Sequence, residues 1–154
     1  MWVTDLIINL LKENMPMLIE GTVDTLYMTF VSSLFAYILA LPLGVALVVT
    51  REDGLYPVGA LYRILDTAVN IGRSVPFLIL LVAIQPLTTF IVGKSYGSTA
   101  TIVPLMAAAT PFIARLIESS LKEVDHGVIE AAQSMGASLS TIILKVLIPE
   151  AKTS

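Results

Sequence analysis

The longest uncharged stretch of the chain, residues 25–50, limits the folds that this sequence can adopt. It lies between Asp24 and Arg51, and almost all of its side chains are apolar. A stretch of this length crosses about 30 Å of hydrocarbon as a single helix. Because lipid offers no hydrogen-bond partners, a segment inside a membrane must satisfy its own backbone, which a helix does. We therefore predict a membrane-spanning helix over residues 25–50, kinked at Pro42.

The composition of the whole chain agrees with a membrane environment. Of its 154 residues, 56% are hydrophobic and 14% are charged, whereas a typical soluble domain has about 25% charged residues. The net charge of −3 gives no support for nucleic-acid binding. The chain has no cysteine and a single histidine, His126, which argues against disulfides, iron–sulfur clusters and zinc sites. No acid–base or nucleophile arrangement is visible, so we expect neither a catalytic role nor a cofactor.

Two further apolar stretches are predicted to cross the membrane, over residues 75–92 and 99–117. The polar connection between them is short, which predicts that they are antiparallel neighbours. Their prolines are Pro76, in the first turn of the second span, and Pro86, Pro104 and Pro111, inside the spans. The predicted fold class is therefore an all-α, polytopic membrane helical bundle with about three transmembrane helices.

Two amphipathic segments accompany these spans. Residues 1–20 carry apolar side chains at helical spacing, which predicts a short N-terminal helix lying at the membrane surface; the alternative is a floppy arm. Asp53-Gly54 and Pro57 predict a turn. Residues 61–71 then form one apolar helical face, which we interpret as an interfacial helix leading into the second span.

A stripe of small side chains runs along the first predicted span. Its members are four residues apart: Ser32, Ala36, Ala40 and Gly44. Small residues at this spacing allow another helix to approach closely. The partner helix belongs either to the same subunit or to a second subunit, and packing within the subunit is the safer interpretation.

The distribution of cations predicts the orientation in the membrane. Basic residues cluster between the first and second spans and at or beyond the end of the third, whereas Lys12 and Lys94 are alone on the other side. Because basic loops are retained in the cytoplasm, we predict an outward N-terminus and a cytoplasmic C-terminus.

Residues 118–151 are polar enough to leave the membrane and are predicted to form a helix–turn–helix. Asp125 is placed to cap a first helix that ends at Gly136, a residue suited to a left-handed terminating position. Ser138 is placed to cap a second helix that stops at Pro149. Docking to a soluble protein is favoured over a helix lying on the bilayer, because Glu130 and its neighbours lack flanking cations.

Other candidate sites have simpler interpretations. Gly93-Lys94-Ser95 imitates the end of a phosphate-binding loop, but position 88 is threonine where that loop requires glycine. His126 has no nearby partner and is expected to be exposed at a helix start. Asp66 and Glu118 are expected to be paired or snorkelling groups rather than parts of an ion path, and Glu118 is spaced to pair with Arg115 along a helix.

Several segments together resemble a known family. Glu130-Ala131-Ala132, three residues, Gly136, nine residues and then Val146-Leu147-Ile148-Pro149 follow the spacing of the EAA loop of ABC-importer permeases. The segments 70–77, 92–97, 102–105 and 111–115 accompany it in the order found in permease subunits of methionine importers. The resemblance covers the chain from about Gly21 to Ala151 and implies the type I ABC-importer permease fold.

The resemblance also implies partners and site residues. Such permeases form homodimers in the bacterial inner membrane, bind two ATPase subunits on the cytoplasmic face and receive a substrate-binding protein, in some cases a lipoprotein, from outside. The ATPase-docking loop would contain Glu130, Ala131, Ala132, Gly136 and Pro149. Residues of the pathway or of helix packing would be Ser32, Ala36, Ala40, Gly44, Arg73, Pro76, Pro111 and Arg115.

The resemblance leaves alternatives for the function. We expect residues 1–151 to form an incomplete permease domain, because the family continues with further spans, and we expect the chain by itself to insert without transporting. The substrate is predicted to be methionine, in its D and L forms. The alternatives are a permease for another amino acid or small solute, and a membrane protein that does not transport.

Overall fold

The computed structural model describes the backbone of residues 2–151 and the side chains of residues 14–151. Within this range the chain forms helices and turns, with no β-strand. The helices in chain order are α1 (Trp2–Thr50), α2 (Gly59–Ser74), α3 (Phe77–Ala83), α4 (Gln85–Val92), α5 (Ser98–Lys122), α6 (His126–Ser134), α7 (Leu139–Ile142), a π-helical turn (Ile143–Leu147) and α8 (Ile148–Ala151). The all-α prediction is confirmed.

Two helices are long and apolar enough to cross a membrane by themselves: the part of α1 over Asn14–Thr50, and α5. A third crossing exists only if α2 and α3, which meet at an angle of 105°, form one broken span. The first and third predicted spans are thus confirmed as helices. The second predicted span, over residues 75–92, is wrong as a single helix, because it is divided into α3 and α4 at Ile84.

The division at Ile84 has a physical cause in Pro86. This proline lies in the first turn of α4, where its missing N–H costs little, whereas inside a helix it would remove a hydrogen bond. Ile84 donates to the Leu80 carbonyl and accepts from Thr88, both at 2.9 Å. The backbone therefore stays bonded on both sides of the break, and the predicted kink becomes a helix boundary. Pro76 likewise lies just before α3 rather than inside its first turn.

The helix α1 is continuous through Pro16 and Pro42. Residues 1–20 are predicted from the sequence to form a separate surface helix, but residues 2–20 are part of α1, and the predicted boundary at Asp24 is absent. The side chains of residues 1–13 lie outside the described residues. The placement of this segment at a membrane surface stays a prediction.

The small-residue stripe of α1 packs against α5 inside the subunit. Ala36 and Ala40 are fully buried and Ser32 is 5% exposed. At Gly44 the approach is closest, because an added Cβ would lie 2.8 Å from the carbonyl oxygen of Ala114. The preference for packing within the subunit is therefore confirmed. At Gly44 the backbone of α1 lies against the backbone of Ala114 and the side chain of Ile117.

An ionic cluster attaches α2 to α5. The Arg115 guanidinium lies 2.7 Å from Asp66 Oδ1 and donates to Asn70 Oδ1 at 2.7 Å. It also pairs with Glu118 Oε2 at 2.5 Å, and Lys122 forms an ion pair with the other oxygen of Glu118. Glu118 is fully buried. The predicted pairing of Arg115 with Glu118 is confirmed, and two cations balance two carboxylates.

Farther along, α2 continues beside α5 instead of ending at the ionic cluster. Val69 is 2% exposed and packs with Ala114. A Cβ built at Gly72 would lie 3.0 Å from Cγ of the buried Pro111. The segment predicted as an interfacial helix thus packs along α5 through Val69 and Gly72. Leu61, Ile64 and Ile71 of its predicted apolar face are exposed, and its placement at a membrane interface stays a prediction.

Beyond α5, the short helices form a second core at the Lys122 end of that helix. Leu121 and Val124 pack there with Ala132 of α6, Ile142 of α7 and Leu147 of the π-helical turn. The turn and α8 follow α7 directly, so the predicted helix stop at Pro149 is wrong. Proline clashes with the carbonyl four residues before it. The wider turn, in which Ile148 donates to Ile143, five residues earlier, precedes Pro149 and changes that geometry.

The contact at Gly44 predicts opposite effects for the same substitution at two places on α1. Gly44→Ala places a Cβ 2.8 Å from both Ala114 O and Ile117 Cβ, so we expect a loss of about 1–3 kcal/mol of stability from overpacking. Gly21→Ala meets no atom within 4 Å and should gain about 0.5–1 kcal/mol from helix propensity. Thermal unfolding in detergent, followed by circular dichroism, measures both. Equal effects at the two positions would contradict the close contact.

The ionic cluster predicts a large cost for neutralising its buried carboxylate. Glu118→Gln leaves Arg115 and Lys122 without their shared anion, and we expect a loss of about 3–5 kcal/mol. The matched control is Asp53→Asn, which breaks the Arg51–Asp53 pair at a side chain that is 57% exposed; exposed pairs contribute at most about 1 kcal/mol. The same unfolding assay tests both variants, and a Glu118 variant as stable as the control would refute the role of the cluster.

Candidate functional site

The helix α6 begins at a side-chain cap. Asp125 has an extended backbone, and its carboxylate accepts a hydrogen bond from the Gly127 N–H at 2.6 Å. This is the interaction by which an aspartate satisfies a free donor in the first turn of a helix. The predicted cap is confirmed, and it fixes the start of α6 a few residues after α5 ends at Lys122.

The end of α6 is a turn that requires glycine. Gly136 has φ = +76°, and its N–H donates to the Gln133 carbonyl at 2.9 Å while that of Ala137 donates to Ala132 at 3.1 Å. This pair of bonds defines the Schellman motif, which closes a helix with a left-handed residue. The predicted helix end at Gly136 is confirmed. Ser138 then caps α7 by accepting from the Thr141 N–H, as predicted.

The residues of the predicted docking loop divide into an exposed and a buried group. Glu130 and Ala131 are exposed on α6, and Gly136 is exposed in the turn. Ala132 is 5% exposed, since it packs into the second core. Ala132 is therefore not available at the surface. It packs α6 against the rest of the subunit. Pro149 is exposed on α8, apart from α6.

Met135 is a surface residue that the sequence reasoning missed. It lies directly before Gly136 and is 81% exposed. Methionine is flexible and polarizable and is common at protein-binding surfaces. The signal was present in the sequence as an apolar residue directly before the glycine that ends the helix.

A cavity of about 390 Å³ lies beside α6. It separates this helix from the end of α1 and the following turn, and its polar lining residues are Arg51, Asp53, Lys122, His126, Glu130 and Gln133. Arg51 pairs with Asp53 at 2.6 Å, and Lys122 pairs with Glu118. His126 is exposed, as predicted. Within residues 14–151, no three histidine, aspartate or glutamate side chains are grouped so as to hold a metal ion.

The remaining predicted residues lie elsewhere. Arg73 and Pro76 are exposed at the bend between α2 and α3, whereas Pro111 is buried in α5 and Arg115 belongs to the ionic cluster. The Gly93-Lys94-Ser95 segment follows a helix, α4, and not a strand. Because a phosphate-binding loop follows a strand and precedes a helix, this geometry agrees with the sequence argument against nucleotide binding there.

Comparisons with known proteins identify relatives along most of the chain. The model of the family described as "Binding-protein-dependent transport system inner membrane component" matches residues 40–154. The probable D-methionine transport system permease protein MetI of Vibrio cholerae is 54% identical over 138 residues, which are 90% of this chain and 61% of that protein. The D-methionine transport system permease protein MetI of Escherichia coli K12 is 50% identical over 135 residues, covering 88% and 62%.

Solved structures agree with these matches. An inward-facing structure of the MetNI methionine ABC transporter superposes with a TM-score of 0.88 at 49% identity, covering 90% of this chain and 64% of the other. A structure of an amino acid ABC transporter with histidines has a TM-score of 0.70 at 22% identity, which supports the fold alone.

The extent of the matches determines what they establish. The chain spans about 61% of the length of the Vibrio cholerae relative, so the activity and the partners of the whole relative do not follow from the match. The family model, however, covers residues 40–154, which is most of the chain. The chain therefore belongs to the family of binding-protein-dependent transport system inner membrane components.

Proposed function

We propose that this chain forms part of the membrane-spanning subunit of an ATP-driven importer for methionine. The relatives that share about half of its residues are D-methionine permease proteins, and the fold superposes on a methionine transporter. In the proposed importer, ATP is hydrolysed by a separate ATPase subunit. A second copy of the chain and an external substrate-binding protein complete the proposed assembly.

The observation that carries this proposal is the construction of the α6 surface. Glu130, Ala131 and Met135 are presented to solvent by a helix that is fixed at both ends and from behind. Asp125 caps its start, Gly136 closes its end, and Ala132 packs into the core beneath it. A short helix held in this way moves as a rigid unit when a bound ATPase displaces it.

The transmission reaches the membrane helices through short covalent and packing connections. α6 starts at His126, four positions after α5 ends, and Ala132 shares a core cluster with Leu121 of α5. Movement of α6 therefore displaces the end of α5. Because the ionic cluster attaches α2 to the same end, α2 follows.

We also propose that the α6 surface faces the cytoplasm. The turn before α2, the Lys122 end of α5 and the sequence that follows it contain five of the nine cations: Arg51, Arg115, Lys122, Lys145 and Lys152. Basic segments flanking membrane spans are retained on the cytoplasmic side. The side with α6 would then face the ATPase, and Lys94, alone between α4 and α5, would face outward.

The docking proposal predicts a charge-specific loss of ATPase binding. We consider a chimera that joins residues 1–151 to the remaining segment of the Vibrio cholerae relative, expressed with that organism's ATPase and substrate-binding protein. Glu130→Lys should lower both co-purification of the ATPase and methionine uptake at least about tenfold, since charged contacts contribute about 1.5–3 kcal/mol. Glu123→Lys, also an exposed glutamate, is the matched control and should retain both. Equal behaviour of the two variants would refute docking at α6.

The turn predicts a second effect in the same chimera. Gly136→Val forces a β-branched residue to φ = +76°, which costs about 1–3 kcal/mol of local strain. No atom lies within 4 Å of the added Cβ, so the cost is conformational and not steric. We expect normal membrane insertion with reduced ATPase co-purification. Unchanged co-purification would show that the turn geometry is not used.

The orientation is tested with a reporter that is active only in the cytoplasm. Fused after Ser154, the reporter should be active, because the cation-rich side is retained there. Inserted at Tyr96, which is 79% exposed in the turn before α5, it should be silent. The reverse pattern would refute the orientation and with it access of a cytoplasmic ATPase to α6.

A further inference from the structure

A second cavity, of about 490 Å³, lies where the chain bends between α2 and α3. Residues from the bend form one wall and residues of α5 form the other. The lining residues are Gly72, Arg73, Val75 and Phe77 from the bend, and Leu105, Ala108, Ala109 and Phe112 from α5. We call this cavity the bend recess. Its volume falls in the range of pockets for small molecules, about 300–1,000 Å³.

The bend recess lies halfway along a membrane-spanning helix. α5 contains 25 residues and is therefore about 37 Å long, at about 1.5 Å per residue. Ala108 and Ala109 are next to its middle residue, Thr110. The ionic cluster, in contrast, lies near the Lys122 end. In a bilayer centred on the middle of α5, the recess would lie about 15 Å, half of the hydrocarbon thickness, from either edge of the hydrocarbon.

Arg73 is a cation without a partner at this depth. It is exposed, and among residues 14–151 no hydrogen bond or ion pair to its side chain is formed. A charge in the middle of a membrane is costly, and where it is present it marks a path for a substrate or ion. In that placement the phosphates of lipid headgroups would lie at least about 15 Å away, which makes them poor candidates for its anion.

Backbone acceptors lie beside this cation. α2 ends at Ser74 and α3 starts at Phe77, with an angle of 105° between them. The residue four positions after Gly72 is Pro76, which has no N–H, so the usual helical bond to the Gly72 carbonyl is absent. The end of a helix also carries partial negative charge, which attracts a cation. The positive charge of Arg73 and the partial negative charge at the end of α2 therefore match the two charges of a zwitterion.

The rest of the bend recess is apolar and has two aromatic walls. Phe77 and Phe112 both line the recess and are 38% and 54% exposed. Ala108 and Ala109 leave room between them. An unbranched apolar side chain fits such a slot, and a thioether sulfur gains additional contact energy at aromatic rings.

We infer that the bend recess is a binding site for the transported amino acid. Arg73 binds its carboxylate, the free carbonyls at the end of α2 accept from its ammonium group, and the slot between Phe77 and Phe112 takes its side chain. The inference rests on the proposed function, because an importer needs such a site on its path. The site selects free α-amino acids with an unbranched apolar side chain.

The test measures binding of radiolabelled methionine to the purified full chain in nanodiscs by equilibrium dialysis. Arg73→Gln should weaken binding at least about tenfold, because a charge-assisted hydrogen bond to a carboxylate is lost. Arg73→Lys should retain part of the affinity. The matched control is Arg63→Gln, an exposed arginine of the same helix that does not line the bend recess; its binding should equal that of the unmodified chain.

Competition identifies which groups of the ligand are recognised. Norleucine, which has the shape of methionine without its sulfur, should displace it at a higher concentration, because it lacks the contact between sulfur and the aromatic rings. Methioninol, which lacks the carboxylate, should fail to displace it. Displacement by methioninol as effective as by methionine would overturn the role of Arg73, as would equal loss in the two glutamine variants or absence of saturable binding to the unmodified chain.

Uptake by the chimera separates this inference from the proposed function. If the unmodified chimera imports methionine and its Arg73→Gln variant does so with the same apparent KM and rate, the importer stands and the bend recess is not its site. If the unmodified chimera imports no methionine, the proposed function fails. Support for both requires a raised KM in the Arg73→Gln variant and an unchanged KM in the Arg63→Gln variant.

Discussion

The close approach of α1 and α5 is the contact on which the rest of the structure depends. In a membrane, apolar side chains gain little by leaving lipid for protein, so helices associate mainly through close packing and polar contacts. Gly44 permits that packing, since even a methyl group there would lie 2.8 Å from the Ala114 carbonyl oxygen. The fully buried Ala36 and Ala40 extend the contact along α1. Once α5 is fixed in this way, α2 and α6 have a rigid element on which to pack.

The helix α5 connects the two candidate sites of the molecule. At its Lys122 end it carries the second core and α6, and one turn earlier Arg115 and Glu118 attach α2. Near its middle, Pro111 contacts Gly72 at the bend. In the proposed importer, a displacement of α6 would therefore pass to α5, then through the ionic cluster and the Gly72 contact to α2. The bend recess is formed between these same two helices, so its width depends on their relative position.

Two kinds of feature could be predicted from the sequence: helices with similar side chains along one face, and helix ends marked by capping or glycine residues. The stripe from Ser32 to Gly44, the Asp125 cap and the Gly136 turn depend on residues close in sequence, and the structure agrees with each. The break at Ile84 and the continuation of the last helices past Pro149 were not predicted. A proline shows where a hydrogen bond is lost, but whether the chain kinks, breaks or widens into a π-turn depends on packing against distant residues.

The candidate sites were predictable to different degrees for the same reason. The exposure of Glu130 follows from the amphipathic pattern of α6, whereas burial of Ala132 requires knowledge that Ile142 and Leu147 lie behind it. Arg73 was predicted as a pathway or packing residue, but its depth was not, because the helix before it was predicted to lie at the membrane interface. Only the packing of α2 along α5 brings Arg73 beside Ala108. An arginine that is ordinary at an interface is unusual at that depth, and its position gives the broken helix a chemical role.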